Sequence, residues 1–176
     1  VIGSGTVLDT ARFRYLLGDY LDLDARNVHA YVVGEHGDSE VPVWSLANVA
    51  GMRLEEGCRR VACDIGEDVQ DRISHQVRDA AYEVIDRKGA TYYAVSVALI
   101  RIVEAILRDQ HTVLTVSNLV PGYYGIGDVY LSLPAVIGRK GVERVVELAL
   151  DDEETSSLGA CAEVLRGVSE ELSLPG

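Results

Sequence analysis

Residues 29–44, HAYVVGEHGDSEVPVW, constrain the fold more than any other part of the chain. Four strand formers, Ala30 to Val33, stop at Gly34-Glu35-His36-Gly37-Asp38, and a second apolar run, Val41 to Trp44, departs behind that corner. The glycines on either side of His36 permit sharp turns and a close approach of backbone or ligand. A histidine at a strand end on such a corner is well placed for acid–base work. Its unperturbed pKa of about 6.5 lets it hold or release a proton near neutral pH. The plainer reading of His36 is a polar turn residue.

The surrounding pattern is α+β. Residues 6 to about 21 read as a helix, with Thr6 and Asp9 in a capping-box pattern and Val7, Leu8, Ala11, Tyr15 and Leu16 at helical spacing. Asp9 as the box acid, or Asp9 with Arg12 as a surface pair three residues apart, accounts for both side chains without any function. Residues 66–87 form a long amphipathic helix with Val69, Ile73, Val77, Ala80, Val84 and Ile85 on one stripe. Lys88-Gly89-Ala90-Thr91 interrupts it, and residues 92–107 continue as a helix apolar on most faces, which is expected to be buried. The break then lies against the interior, where a kink presents Thr91 to a ligand; an N-cap role is the alternative for Thr91.

Strand candidates follow at 113–120, 128–137 and 142–148, with Pro121-Gly122 and Arg139-Lys140-Gly141 at the turns. Residues 152 to about 172 read as an acidic helix with Leu158, Cys161, Ala162, Leu165 and Val168 inward. Without βαβ alternation this predicts long helices packed on antiparallel strands, in a single domain over residues 1–176.

Composition narrows the function. A net charge of −12 and the absence of a basic run argue against a nucleic-acid partner. They also make each arginine informative, since an anionic ligand must be held by local cations against an unfavourable field. Three cysteines (Cys58, Cys63, Cys161) show no metal-ligand spacing and no partner cluster, so the expectation is a reduced, cytoplasmic setting with no metal. The most apolar run, residues 94–107, is too short for a bilayer and carries Arg101 and Glu104, so no membrane association is expected. Gly3-Ser4-Gly5 has Leu8 where a dinucleotide fingerprint needs its third glycine, and the preceding strand is missing. Val1 opens the chain with no lead-in, which suggests a fragment.

Residues 3–14, GSGTVLDTARFR, together with GEHGDSEVPVWS closely resemble the L-lactate dehydrogenase family. The resemblance runs over nearly the whole chain, weakens from about Leu150, and is to the C-terminal half of such an enzyme only. It implies an NAD-dependent, reversible hydride transfer between L-lactate and pyruvate, with the nucleotide-binding half absent. By that resemblance His36 is the proton donor and acceptor, and Asp9 orients it and raises its pKa. Arg12 grips the substrate carboxylate through two parallel hydrogen bonds. Thr91 lines the substrate pocket, and Ser4 and Val95 sit by the nicotinamide, whose cofactor supplies the hydride chemistry.

Arg14 and His29 match the positions at which allosteric bacterial lactate dehydrogenases bind fructose bisphosphate between subunits, and a homotetramer is the family expectation. A helix-surface arginine and a strand-start histidine are their plain readings. Two other functions stay open. A malate dehydrogenase of the lactate-dehydrogenase-like type shares Asp9, Arg12 and His36, although Glu35 and the DSEVPVWS continuation lean toward lactate. Alone, the piece is a binding and assembly module, because the carbonyl-polarising arginine and carboxamide-binding asparagine belong upstream. His75 and His111 read as solvated, and Trp44 and the tyrosines as packing or interface residues.

Overall fold

The computed structural model of the chain describes residues 1–61 and 64–172. Two three-stranded antiparallel sheets carry five helices among these residues, the α+β arrangement the pattern predicts. Helix α1 (Val7–Tyr20) leads through a 3-10 turn (Ala25–Asn27) into strand β1 (Val28–Val33). The corner follows, then β2 (Val41–Val49), the short β3 (Met52–Arg53) and helix α2 (Leu54–Val61). Helices α3 (Glu67–Lys88) and α4 (Tyr93–Leu107) precede the second sheet, β4 (Thr112–Pro121), β5 (Gly127–Gly138) and β6 (Gly141–Val145), and α5 (Asp152–Glu171) comes last. Helix α2 has no counterpart in the sequence reading, which ran residues 29–54 on as extended chain.

Three apolar clusters hold these elements. Phe13 and Leu17 of α1, Val28, Ala30 and Val32 of β1, and Val69, Ile73 and Val77 of α3 make one. A second joins Val33 and Val41 to Leu131 and Leu133 of β5 and to Leu158, Cys161 and Ala162 of α5. The third sets Ile102 and Ala105 of α4 against Val116, Ala135 and Ile137. Burial at roughly 25 cal/mol per Å² of apolar surface is what fixes α1 and β1 between the other layers.

Polar groups then settle the register of α1. The expected capping box is not made: Thr6 is fully buried, makes no side-chain cap, and donates its hydroxyl to the Val32 carbonyl at 2.6 Å. Thr10 Oγ1 accepts the Val32 N–H at 3.0 Å and pairs with Thr115 Oγ1 at 2.9 Å. Buried hydroxyls need partners, so two threonines one helical turn apart seal the edge of β1 and dock α1 onto β4. Pro42, which has no N–H to give, stands opposite Val32 in the β1–β2 ladder.

Two further expectations are corrected. Helix α4 is not buried all round: Ala98, Ile102 and Ala105 face inward, whereas Tyr93, Val97, Ile100, Val103 and Leu107 are exposed. The break before it lies at the surface, not against the interior, since residues 85–94 are all exposed. Gly89 ends α3 in the left-handed region (φ 79°), and the N-cap of α4 is Tyr92 with no side-chain cap, so Thr91 does not cap that helix. Cysteine also departs from expectation. Cys161 is a buried free thiol, but Cys58 is disulfide-bonded, and Cys63 lies outside the described residues.

Candidate active site

The corner is pinned on three sides. Gly34 leaves β1 at φ 94° and forms a two-bond bridge with Ser132 of β5, each N–H donating to the other's carbonyl at 2.9 Å. A side chain there would come 2.9 Å from Cys161 Sγ, so both conformation and space require glycine. The next residue, Glu35, donates its N–H to that same sulfur at 2.8 Å and accepts a short hydrogen bond from Ser39 Oγ. From α3, Tyr82 donates its hydroxyl to Asp38 at 3.0 Å. The bonds from β5, α5 and α3 fix the segment that carries His36.

What His36 faces was set by α1. Asp9, on the first turn of that helix, is 2% exposed and accepts from His36 Nδ1 at 2.6 Å, while its other oxygen takes Arg12 Nη1 at 3.2 Å. A carboxylate only accepts, so Nδ1 carries the proton and Nε2 is left for the cleft. The imidazole is half exposed, as a group that exchanges protons with a bound molecule must be. Its pKa lies above the ordinary 6.5: the Asp9 hydrogen bond is the largest cause, burial opposes it, the Asp9 and Glu40 charges add to it, and Arg12 subtracts.

A small cleft gathers most of the residues singled out from sequence. Ser4, Arg12, His36, Thr91 and Val95 line it together with Gly5, Leu8, Ala81 and Ala98. Gly5 is in the left-handed region and packs on β4, where a Cβ would meet Ser117 N at 2.5 Å, which holds the 3–5 segment against the sheet as one wall. Opposite stand Thr91 from the α3–α4 break and Val95 and Ala98 from the first turns of α4. A cationic fork, a polarised imidazole and an apolar wall in one cleft suit a small carboxylate beside a flat apolar ring.

Arg14 and His29 converge less. Arg14 donates Nε–H to the Ala30 carbonyl at 2.9 Å and lies over the Tyr31 ring, while His29 is exposed at the start of β1. Two residues that the sequence reading passed over lie behind the His36–Asp9 pair. Glu40 is 6% exposed, with its carboxyl within 4.8 Å of the Asp9 and His36 ligand atoms, and Arg78 of α3 bears on it. A carboxylate four residues past His36, leading straight into an apolar strand, was the available signal.

Among the described residues, two His–carboxylate groups have atoms close enough for a metal, Asp9–His36–Glu40 and Asp109–His111–Glu143. In the first, Asp9 is already engaged by His36 and Arg12. In the second, the two ring nitrogens of His111 turn to different carboxylates, Nδ1 to Glu143 at 3.1 Å and Nε2 to Asp109 at 3.5 Å.

Fold and cleft together give an α+β domain built around a histidine–aspartate pair with an arginine alongside. The family described as lactate/malate dehydrogenase, alpha/beta C-terminal domain, matches residues 6–173, and the chain belongs to that family. It is 51% identical over 166 residues to L-lactate dehydrogenase 1 of Clostridium acetobutylicum, covering 94% of this chain and 53% of that protein. Against L-lactate dehydrogenase of Priestia megaterium it is 52% identical over 166 residues, covering 94% and 52%. Among solved structures, a lactate dehydrogenase from a Medee basin deep-sea metagenome library superimposes with a TM-score of 0.93 at 46% identity, covering 98% of this chain and 55% of that one. The minor L-lactate dehydrogenase of Enterococcus mundtii gives 0.92 at 37% identity, covering 97% and 54%. The chain thus spans about half the length of the curated relatives it matches.

Proposed function

We propose that the chain is a single substrate domain of an NAD-dependent L-lactate dehydrogenase, interconverting pyruvate and L-lactate when joined to a nucleotide-binding half. One observation carries this reading: the His36–Asp9 pair at 2.6 Å opens into the same cleft as Arg12, Thr91, Ser4 and Val95. Arg12 presents a planar fork to the substrate carboxylate, and its bond to Asp9 keeps that fork beside the imidazole. His36 Nε2–H donates to the substrate carbonyl oxygen and delivers the proton there; in the oxidation direction the same nitrogen takes it back. Asp9, accepting from Nδ1–H, stabilises the imidazolium that donates and, once the proton has left, the neutral tautomer whose Nε2 is free to take it back. Thr91 closes the substrate end of the cleft.

The residues present suit a nicotinamide ring. Leu8, Val95 and Ala98 offer an apolar face, Ser4 a hydroxyl, and the Gly5 backbone a wall without a side chain. NAD, when bound, supplies the hydride; the chain's own part is to orient, to exclude water and to move the proton.

The relatives named L-lactate dehydrogenase at about half identity favour pyruvate over oxaloacetate as substrate. The exposed α4 face and the half-length match favour a subunit completed by further protein, and the homotetramer is the expectation of the family resemblance. Arg14 and His29 are the candidates for fructose bisphosphate as activator, one permanent and one titratable cation beside β1. No helix among the described residues is long and apolar enough to cross a membrane, and the Cys58 disulfide removes the cysteine argument for a reduced, cytoplasmic setting.

The test is steady-state turnover of the full-length enzyme with pyruvate and with oxaloacetate, wild type against His36→Gln. The variant is expected to lose about 10²–10⁴-fold in turnover with NADH affinity little changed. Equal turnover would remove His36 from its role, and preference for oxaloacetate would assign the malate reaction instead.

A further inference from the structure

Among the described residues, Glu40 is a buried carboxyl beside the His36–Asp9 pair that the proposed reaction does not use. It follows the corner, where its N–H bonds the Gly37 carbonyl at 3.2 Å, and its side chain turns back beneath His36. Its Oε1 is buried with no hydrogen-bond partner, and so is Nε of Arg78. Both line a polar groove between β2, α3 and α5, on a different side of the corner from the cleft that holds Arg12 and Thr91. Glu40 therefore stands between two openings, with the His36–Asp9 pair on one side and the Arg78 groove on the other.

We propose that Glu40 is a positioning residue of this site: a third titrating group behind the imidazole that sets how tightly His36 keeps its proton. The proposal rests on the dehydrogenase reading for its catalytic consequence, but not for its geometry.

The physical argument turns on what two carboxyls within 4.8 Å of each other do in a buried place. Asp9 is engaged by His36 and Arg12, whereas Glu40 has one oxygen without any partner. Burial and the Asp9 charge both oppose a second negative charge there and push the Glu40 carboxyl up to about 8. The cations that face it pull the other way: His36 from the corner, Arg78 from α3 and Arg12 from α1. Across the groove α5 presents Glu154, taken up by the Ser45 N–H and hydroxyl, and the Cys161 thiol, which burial holds protonated.

Near neutral pH Glu40 is thus mainly a neutral acid. As it ionises, its charge favours the imidazolium, so His36 releases its proton at a higher pH than Asp9 alone would impose. Groups this close titrate in macroscopic steps that belong to the set. An amide at position 40 keeps the shape and removes the step.

The first measurement is an NMR titration of the His36 ring carbons in the full-length enzyme, wild type and Glu40→Gln, with the alkaline limb of the pyruvate-reduction profile followed in parallel. The His36 midpoint is expected to fall by half a pH unit or more in the variant, about a threefold weaker proton binding. The alkaline limb should move acid by the same amount, with little change in KM on the acid side. A His36 midpoint within a tenth or two of wild type in the folded variant overturns the proposal.

If Glu40→Gln does not fold, the wild type decides alone through carboxyl-labelled glutamate. The Glu40 carboxyl is expected to titrate near neutrality or above, with a matching inflection in the His36 signal. A Glu40 midpoint in the ordinary glutamate range overturns the proposal. The His36 signal needs no turnover, so a shifted midpoint in an enzyme that does not reduce pyruvate would sink the dehydrogenase reading and leave this one standing.

Discussion

Helices α1 and α4 line the same cleft from opposite sides, and they are built on opposite rules. Helix α1 carries polar groups inward: Thr6, Asp9 and Thr10 are all buried, each satisfied by β1, β4, Arg12 or His36. Helix α4 carries apolar groups outward, with Val97, Ile100, Val103 and Leu107 exposed. A helix that buries polar side chains must be placed with hydrogen-bond accuracy, since each unmet donor or acceptor costs about 1–3 kcal/mol. An apolar outer face needs only cover. Asp9, which holds the His36 ring, and Arg12 sit on the helix with the exacting placement. The helix that supplies the apolar cleft wall is the one whose outer side lies open.

That contrast can be broken most decisively in the core behind α1. Phe13 is fully buried and meets Trp44 edge-on at 4.7 Å between ring centres, while Trp44 gives its indole N–H to Ser74 of α3. Phe13→Ala is expected to cost about 3–5 kcal/mol in denaturant unfolding. A loss under about 1 kcal/mol would mean that α1 is not anchored by this packing.

The next largest effect is on pH dependence. In the folded protein Glu40 keeps its proton up to about 8, whereas in the unfolded chain it releases it near the ordinary 4.5. The folded state binds the extra proton throughout that window, so stability falls as pH rises across it. His36, raised above 6.5, acts in the same direction: its contribution is full below 6.5 and fades as pH climbs through the folded pKa. Glu40→Gln should therefore gain on wild type steadily from pH 4.5 to 8 when unfolding free energies are compared. A constant difference across that range would show that Glu40 ionises normally.

Smaller again is the corner itself. Gly34→Ala meets both the left-handed backbone (φ 94°) and Cys161 Sγ at 2.9 Å. The expected cost is about 1–3 kcal/mol, together with a displaced His36 that loses its raised titration midpoint. An alanine variant with unchanged midpoint and stability would show that the bridge to Ser132 does not set the corner.

Much of this was legible in the sequence because it is local. The periodicities of α3 and α5, the turn at Arg139-Lys140-Gly141 and the strand–corner–strand unit around His36 all depend on neighbours within a few residues. Asp9 with Arg12 was legible as a pair, and the family resemblance gave it a direction. What escaped was decided at long range. Thr6 looked like a cap because the capping pattern is local, but a buried carbonyl of β1, 26 residues away, took its hydroxyl. Glu40 drew no reading at all, and only the packing of α1 and α3 around the corner buries it. Helix α4 misled by composition. An all-round apolar helix is buried somewhere, and within these 176 residues only one of its faces is covered.

The smallest expected effect follows from that last point, and it separates the two helices most directly. Ile100 is 64% exposed on the outward face of α4. Isoleucine and serine have similar helix propensities, so Ile100→Ser changes little except apolar surface. In this chain alone the unfolding free energy should move by no more than about 0.5 kcal/mol, as for other exposed substitutions away from packed features. In the longer dehydrogenase subunit proposed above the same change is expected to cost clearly more or weaken the assembly, since covering that face would remove the isoleucine from water at roughly 25 cal/mol per Å². Equal, negligible effects in both would leave the apolar face of α4 without a covering partner, and the contrast with α1 would then need an origin other than assembly.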